Sequence, residues 1–313
     1  MALSVNQANT VSHEVYGKHF VENVYDASPF LKMLKDKHKV KVKGGNYITF
    51  PVEYKELGTA QSRDWNDEVV FESVDTWTTA ILQWAHIDAH TMITKEERFK
   101  NYAGPQQVVD VIKAKEKQLS NDLTEQLSDQ IFATSSASNK IIPIAVIIDS
   151  SDAYAGIAPA DASIWAGNED TSSTAMTRAL LYSERGAAIF GMDGPTVHFT
   201  TQLLLDTYNK LLGADERYHN TREANAGFKT ITLYGDNVYA DHHIAAGHWY
   251  GLDMKQFELH VMEEMDMTPT DWQDLLVGGY PKALAKYVDV ALNLVCYRRR
   301  TNFKLTALTG STA

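Results

Sequence analysis

Residues 104–132 read GPQQVVDVIKAKEKQLSNDLTEQLSDQIF, and this stretch predicts one long helix. Proline at position 105 favours a helix start, because the first helical position needs no N–H donor. Apolar side chains recur along one face at helical spacing, while charged ones, Glu116 among them, fall elsewhere. The apolar positions are Val108, Val109, Ile112, Leu119, Leu123, Leu127 and Ile131. Such a helix would span ~42 Å, and because its heptads are not sustained, we expect it to lie across a sheet.

Two extended runs precede this helix. After Gly44 and Gly45 break the chain, apolar and polar side chains alternate over 47–54, which is the period-two pattern of a strand. Residues 55–67 are polar and rich in turn formers, and residues 68–94 are rich in aromatic and β-branched side chains. We predict a long two-stranded hairpin with a polar tip, whose second strand continues into a sheet. A lone hairpin is marginal in water, so this one should lie on another surface.

The segment before the hairpin predicts an arm with short helical pieces. Apolar residues recur at helical spacing within 21–25 and 30–34, and Pro29 favours a helix start. Six lysines then follow within 32–43, interrupted in charge only by Asp36. A run of this kind is usually a solvated face. The functional alternatives are contact with acidic groups of a neighbouring subunit or with nucleic acid.

Beyond the long helix, a Ser- and Ala-rich linker at 134–139 marks the best domain boundary. The apolar run Ile141–Ile148 predicts a buried strand. Further predicted elements are helices at 174–190 and 202–212 and strands at 196–200, 228–233 and 257–262. Together they indicate a mixed α/β block over 141–260. The last segment alternates again from Val288 to Cys296, which predicts a strand of ~30 Å.

Composition excludes several classes of protein. The chain has 313 residues, with a formal net charge of −11 and 44% hydrophobic residues, which is typical of a globular domain and not of a disordered one. The acidic balance disfavours tight, sequence-independent binding of nucleic acid. The single cysteine, Cys296, excludes an internal disulfide framework, and its apolar neighbours indicate a core residue. No stretch has the ~18 apolar residues that a membrane span needs.

The densest set of potential metal ligands follows position 235. It comprises Asp236, Asp241, His242, His243 and His248. Histidine and carboxylate could bind a divalent metal, but adjacent histidines on a strand point to opposite faces. We therefore interpret this segment as a polar strand and turn. Phosphate-binding, dinucleotide-binding and nucleophile-elbow motifs are absent from the sequence, and the acidic run Glu263–Asp266 predicts a solvated turn.

The triplet Arg298, Arg299 and Arg300 follows the last long strand. Because the chain is acidic overall, we favour salt bridges to a neighbouring subunit, or a solvated strand end, over contact with nucleic acid.

The order of these elements resembles the major capsid proteins of tailed phages with the Hong Kong 97 fold. Similar stretches occur in the family's order, although no single one is specific. They are LQWA to TKEE at 82–97, QLSNDL and LSDQIF at 118–132, PTVHFT at 195–200, and RY, AGF, YGDNV and AGHWY within 217–250.

The resemblance implies an α+β fold with an N-terminal arm, an extended β-hairpin loop, a spine helix with a peripheral sheet, and a mixed α/β axial domain. The implied ranges are 1–43 for the arm, 44–80 for the loop, 81–140 and 261–313 for the peripheral domain with its spine helix at 105–132, and 141–260 for the axial domain.

The resemblance also implies a function. Copies of the chain would form hexamers and pentamers that close an icosahedral shell around double-stranded DNA, as part of a virion assembled in the host cytoplasm. Such a protein is not an enzyme and needs no cofactor or metal. Its expected partners are further copies of itself, a portal protein at one vertex, DNA bound non-specifically and, in some shells, a decoration protein, with no membrane. Only some forty residues precede Gly44, so we expect a separate scaffolding protein.

Two alternatives stay open at this point. The same fold could form an encapsulin-like shell around a protein cargo. Less in keeping with the sequence, the chain could be a metal-dependent hydrolase that uses Asp241, His242 and His248.

The shell interpretation predicts subunit-interface residues in three places. At the hairpin tip, Trp65 would be an apolar anchor on the adjacent subunit, and Arg63 or Asp64 would pair with opposite charge there. Lys55 lies near the same tip, but nothing marks an activating glutamate, so we expect no covalent cross-link. Loops over 236–251 would meet around a capsomer axis, where repeated copies of Asp236 or Asp241 would repel unless they were paired. The third place is the arginine triplet 298–300.

Overall fold

The computed structural model describes residues 28–100, 105–160, 162–172, 174–212, 231–275 and 283–309. The predicted helical piece at 21–25 and the motif residues 217–228 lie outside this part. The chain divides into two compact units. The first unit comprises Met1–Gly45, Trp84–Pro143 and Glu258–Val295. The second unit comprises Asn46–Gln83, Ile144–Phe257 and Cys296–Ala313.

Six α-helices occur in the described part of the chain. They are α1 (Pro29–Lys37), α2 (Lys95–Lys100), α3 (Pro105–Ile131), α4 (Ile144–Ile147), α5 (Arg178–Ala187) and α6 (Gln202–Leu211). The long helix is thus confirmed as α3, and the start predicted at Pro29 is confirmed in α1. None of the described helices is both long and apolar enough to cross a membrane.

Fourteen strands occur in the same part of the chain. They are β1 (Lys39–Val42), β2 (Tyr47–Glu53), β3 (Trp77–Gln83), β4 (Ala85–Ile93), β5 (Asn168–Asp170), β6 (Val197–Thr200), β7 (Ile231–Leu233), β8 (Asp236–Ala240), β9 (Trp249–Leu252), β10 (Phe257–Met262), β11 (Thr268–Pro269), β12 (Gln273–Asp274), β13 (Leu284–Cys296) and β14 (Phe303–Leu305).

The sheet of the first unit is built around β13. Strand β4 pairs antiparallel with it over nine residue pairs, from Leu284↔Ile93 to Leu292↔Ala85. Strands β11 and β12 also pair antiparallel with β13, and β1 pairs parallel with β10. Alternation along β4 leaves its odd-numbered positions 85, 87, 89 and 93 buried. The prediction that the second extended run continues into a sheet is confirmed.

Helix α3 packs in the first unit by the face that the sequence predicts. Ile112, Leu119, Leu123, Leu127 and Ile131 are all buried there. The prediction for Glu116 was wrong, because this glutamate is also buried. Its Oε1 accepts a hydrogen bond from Nζ of Lys286 on β13 at 2.8 Å, and the indole of Trp272 lies beside the same pair. Lys286 of a strand distant in sequence therefore compensates the negative charge of Glu116, which lets a glutamate lie on the buried side of the helix.

The second unit contains a six-stranded mixed sheet in the order β5-β14-β9-β6-β8-β7. Helices α5 and α6 supply apolar side chains to its core, in which Trp249 and Phe303 are fully buried. Both helices begin at a threonine cap, Thr177 or Thr201, whose hydroxyl accepts a backbone N–H. Residues 296–309 belong to this unit, in which β14 pairs with β5 and β9. The second segment of the predicted peripheral domain ran from 261 to 313, whereas the first compact unit ends at Val295.

The strand predicted over Ile141–Ile148 was wrong. Residues Ile144–Ile147 form the single-turn helix α4, and all four side chains are buried. A short apolar run that is buried on every side carries no periodicity that separates strand from helix. The helix is instead stabilised by Arg299, whose guanidinium donates to backbone carbonyls at its C-terminal end.

Candidate assembly surface

Strands β2 and β3 form an antiparallel ribbon within the second unit, in register from Tyr47↔Gln83 to Glu53↔Trp77. One face of the ribbon is buried through Ile48, Phe50 and Val52. Phe50 meets the ring of Tyr297 edge-on, with 5.3 Å between ring centroids. The N–H of Ile81 also donates to the carbonyl of Ala155 at 2.9 Å. The predicted hairpin is therefore present, and its base lies on its own unit.

The residues that join the two strands, 54–76, form no strand of their own, and we call them the ribbon loop. Large apolar side chains of this loop are exposed to solvent, and Trp65 and Phe71 are 98% and 92% accessible. Lys55 is also exposed. The loop carries six acidic and two basic side chains, so it is locally acidic. Exposed aromatic groups rimmed by charge are typical of surfaces that bind another protein.

A local turn orders the loop around Trp65. The N–H of Trp65 donates to Oδ1 of Asp64 at 2.7 Å, and the N–H of Asp64 donates to Oδ2 of Asp67 at 2.9 Å. The guanidinium of Arg63 donates to the carbonyl of Glu68. Arg63 and Asp64 thus make contacts inside the loop, and the Trp65 indole projects from a preformed turn.

Asp236 lies at the start of β8 and is neutralised within its own unit. Its Oδ2 is 2.6 Å from Nη2 of Arg185 and 3.8 Å from Nε2 of the buried His198. Burial alone would raise the pKa of the Asp236 carboxyl, but its contacts with His198 and Arg185 outweigh burial and lower that pKa. Burial lowers the pKa of His198, against the opposing effect of Asp236. The carboxylate is therefore a paired group at the start of a strand.

Asp241 is also engaged inside the second unit. Its Oδ1 accepts the backbone N–H of His243 at 3.1 Å and lies 2.8 Å from Nδ1 of the same residue. The argument that His242 and His243 point to opposite faces was wrong, because both lie in a turn and their ring centroids are 3.8 Å apart. His248 has a different neighbour, with its Nδ1 3.0 Å from the hydroxyl of Tyr250. Burial lowers the pKa of His248.

The three arginines after β13 have three different environments. Arg298 pairs with Asp193 of its own unit, with 2.7 Å between Nη1 and Oδ2. Arg299 is fully buried and donates to the carbonyls of Val146, Ile147, Asp149 and Asp152. Arg300 is partly exposed and stacks on the ring of Phe190, 3.6 Å from its centroid. Arg299 thus supports the fold, and of the triplet only Arg298 and Arg300 present a cation at the surface.

The first unit contains an intramolecular ion pair that the sequence did not predict. Lys39 and Lys41 of β1 both contact the carboxylate of Asp266, at 2.7 and 3.1 Å. Burial lowers the pKa of Lys39 and its contact with Asp266 opposes that effect. The lysine run is therefore paired in part with acid of the same chain. Period-two alternation of lysine in a short run was the only sequence signal for it.

The fold is similar to that of solved phage capsid structures. The structure has the fold of tailed-phage major capsid proteins, as its similarity to solved structures shows, and the predicted fold class is confirmed. The capsid asymmetric unit of cyanophage A-1(L) matches with a TM-score of 0.64 at 16% identity, over 90% of this chain and 93% of that chain. The capsid of a native GTA particle matches with a TM-score of 0.62 at 10% identity, over 88% and 90%.

A structure from Mycobacterium phage Bobi matches over the whole length, with a TM-score of 0.54 at 13% identity, covering 99% of this chain and 100% of that chain. No protein-family model matches the sequence, and neither does any curated protein. The similarity therefore lies in the three-dimensional arrangement of helices and strands, and hardly in the amino-acid sequence.

Proposed function

We propose that this chain is the major capsid protein of a tailed phage. Its copies form hexamers and pentamers of an icosahedral shell around double-stranded DNA, and its role is structural and not enzymatic. The observation that carries the proposal is the match to a phage capsid subunit over 90% of this chain and 93% of that chain. The exposed aromatic side chains of the ribbon loop support it, because a monomer gains nothing from leaving them in water.

In this shell the ribbon and its loop are the extended loop, which lies across the adjacent subunit of the capsomer. The first unit corresponds to the peripheral domain with α3 as spine helix, and Ile144–Phe257 corresponds to the axial domain. The loops over 236–251 meet around a five- or six-fold axis. Pairing of Asp236 with Arg185 and of Asp241 with His243 supports this arrangement, since repeated unpaired carboxylates would repel one another around the axis.

The remaining partners follow from this role. A separate scaffolding protein directs assembly, a portal occupies one vertex, and the packaged DNA contacts the shell without sequence specificity. A net charge of −11 suits a container through which DNA must move, because an acidic wall does not retain phosphate. A decoration protein would bind the outside of the completed shell.

Deletion of residues 56–66 tests the proposal. We expect the purified variant to keep the circular dichroism spectrum of the wild-type chain, because its strands and helices lie elsewhere. It should sediment as small species, while the wild-type chain yields closed particles in negative-stain electron microscopy. Normal particles from the deletion variant would refute the role of the loop, and an unfolded variant would show that the loop belongs to the core.

The content of the particles separates the two shell functions. Particles that carry nuclease-protected DNA after infection support the capsid, whereas a protein cargo with no DNA supports the encapsulin-like alternative. A wild-type chain that remains monomeric under all assembly conditions, with or without the scaffolding protein, would refute both.

A further inference from the structure

A pocket of about 250 Å³ lies in the second unit at the base of the ribbon. Its walls include Pro51 of the ribbon, Glu56 of the ribbon loop, the indole of Trp165, and the rings of Phe190 and Tyr297. An apolar cavity of about 150 Å³ is large enough for a benzene ring. The pocket therefore has room for one larger aromatic side chain.

The position of Phe190 in this pocket is set by a tight turn. Phe190 and Asp193 exchange both backbone hydrogen bonds, at 2.9 and 3.1 Å, and Gly191 between them has a φ of +65° that favours glycine. Arg298 holds the turn from the other side through Asp193. The pocket is thus preorganised, and the ring of Phe190 remains 42% accessible.

The rim of the pocket offers a cation. The guanidinium of Arg300 stacks on Phe190, and in the described part of the chain no carboxylate lies within ion-pair distance of it. Stacking on a ring leaves the N–H edge of a guanidinium open, and that edge matches the two oxygens of a carboxylate. Lys55 adds a second positive charge to the lining, and Glu53 and Glu56 add two negative charges. A complementary ligand would therefore combine an aromatic ring with an adjacent carboxylate placed at the Arg300 guanidinium.

The ribbon loop of the same chain carries such a group. Trp65 is 98% accessible, and the Asp64 carboxylate precedes it in the preformed turn. We infer that the pocket between the ribbon base and Arg300 receives Trp65 of a second copy of this chain, with Asp64 of that copy facing the Arg300 guanidinium. The inference rests on the proposed self-assembly. It adds the surface on which the loop of the neighbour docks.

The geometry of such a contact suits a ring. The stretch from Glu56 to Trp65 can extend by up to about 30 Å, a reach comparable to the diameter of a small domain. A loop on one copy and a pocket on the next form a heterologous contact, and repetition of that contact closes a ring when the rotation between copies is five- or six-fold. Each copy then gives one loop and receives one.

Disulfide trapping between two single-cysteine variants tests the inference. One chain carries Asn66→Cys beside Trp65, and the other carries Glu56→Cys at the pocket rim. Because neither chain has both positions, a 56–66 disulfide can form only between copies. The native Cys296 is buried and does not compete. The chains are mixed before assembly and oxidised, and we expect a two-chain species whose cross-linked peptides join positions 56 and 66.

Three further variants establish the specificity of the cross-link. Adding Arg300→Glu to the Glu56→Cys chain, or Trp65→Ala to the Asn66→Cys chain, should lower its yield about tenfold or more, the effect expected for an interface anchor. Trp77→Ala is the matched control, because this exposed indole lies on β3 outside the loop, and it should leave the yield unchanged.

The outcomes separate this inference from the proposed function. Closed particles without a 56–66 cross-link, or with a yield that Arg300→Glu does not change, would overturn the pocket as the docking site and leave the capsid function in place. A cross-link that joins only 66 to 66 would equally overturn it. Failure of the wild-type chain to assemble would overturn both.

Discussion

At the scale of single residues, a buried charged side chain stabilises irregular backbone by hydrogen-bonding to its carbonyl groups. Arg299 is the clearest case, because its guanidinium donates to four carbonyls at the end of α4 and in the turn after it. The carbonyls of Val146 and Asp149 each accept a backbone N–H as well, but carbonyls that lose a donor at a buried helix end still cost free energy. A residue that the sequence suggests as an interface cation is therefore part of the core of the second unit.

Replacing Arg299 with methionine should lower the free energy of unfolding by about 3 kcal/mol or more, because four carbonyls lose the hydrogen bonds of one guanidinium at once. Urea denaturation of the unassembled chain, followed by circular dichroism, measures this loss. Arg300→Met is the matched control and should cost about 1 kcal/mol or less, since its cation–π contact is partly exposed. Equal losses from the two substitutions would contradict the structural role of Arg299.

Buried His198 should make stability depend on pH. Burial lowers its pKa below the ordinary value of 6.5, so the folded chain holds the neutral imidazole. Above pH 6.5 the imidazole is neutral in both the folded and the unfolded chain, and the free energy of unfolding does not depend on it. As the pH falls towards the folded-state pKa, the unfolded chain takes up the proton first, so the free energy of unfolding declines. Asp236, whose pKa is lowered from 3.8, loses its contribution only at more acidic pH.

Unfolding free energies measured between pH 7.5 and 5 should therefore fall for the wild-type chain, and the slope should be shallower in His198→Gln. A residual slope is expected from His248, whose pKa burial also lowers. Identical slopes in the two chains would show that His198 is not buried in its neutral form.

At the scale of elements, α3 shows how a long helix is held to a sheet by more than its apolar stripe. The Glu116–Lys286 pair joins the helix to β13, with both side chains nearly inaccessible and the Trp272 ring 5.9 Å from the ammonium group. A buried ion pair of this kind costs desolvation free energy, but it sets one register of helix on strand. The register matters because β13 also organises β4, β11 and β12.

Removing one partner of this ion pair should destabilise the chain more than replacing both partners with apolar residues. We expect Glu116→Gln to lower the free energy of unfolding by about 3 kcal/mol, because Lys286 then stays buried beside a neutral amide. The double variant Glu116→Leu with Lys286→Met should lose less than either of its single substitutions. Chemical denaturation of the four chains measures the coupling, and additive losses would argue against a buried pair.

At the scale of the whole molecule, the exposed ribbon loop is the feature that a monomer does not explain. Trp65, Val70 and Phe71 are largely accessible in a loop whose base is firmly packed. A subunit that gives this loop to a neighbour would bury them only on assembly. The loop should therefore report whether the shell has formed.

Trypsin should cut the unassembled chain after Lys55 and Arg63, which are exposed in the ribbon loop. Assembled particles should resist cleavage at both sites, because docking on a neighbour removes them from solvent. Mass spectrometry of timed digests compares the two states, and Lys286 and Lys304, which are buried in the single chain, serve as internal controls that stay uncut in both. Equal cleavage rates at Arg63 in particles and free chains would exclude a docked loop.

Local periodicity in the sequence was sufficient to predict the regular elements. The 3.6-residue spacing of α3 identified both the helix and its buried face, and alternation identified β2 and the long strand β13. These signals are local, because an element that buries one face must repeat its apolar residues with its own period. Their order along the chain was enough to suggest the capsid fold before any contact was known.

Only the tertiary structure determined the contacts between distant residues. It made Ile144–Ile147 a helix, since a run buried on all sides has no period, and it buried Glu116 opposite Lys286. It also placed Asp266 against Lys39 and turned Arg299 inwards to backbone carbonyls. A charged residue has the same sequence signature whether it faces water or a partner more than a hundred positions away, because its environment is created by the packing of other elements and not by its neighbours in the chain.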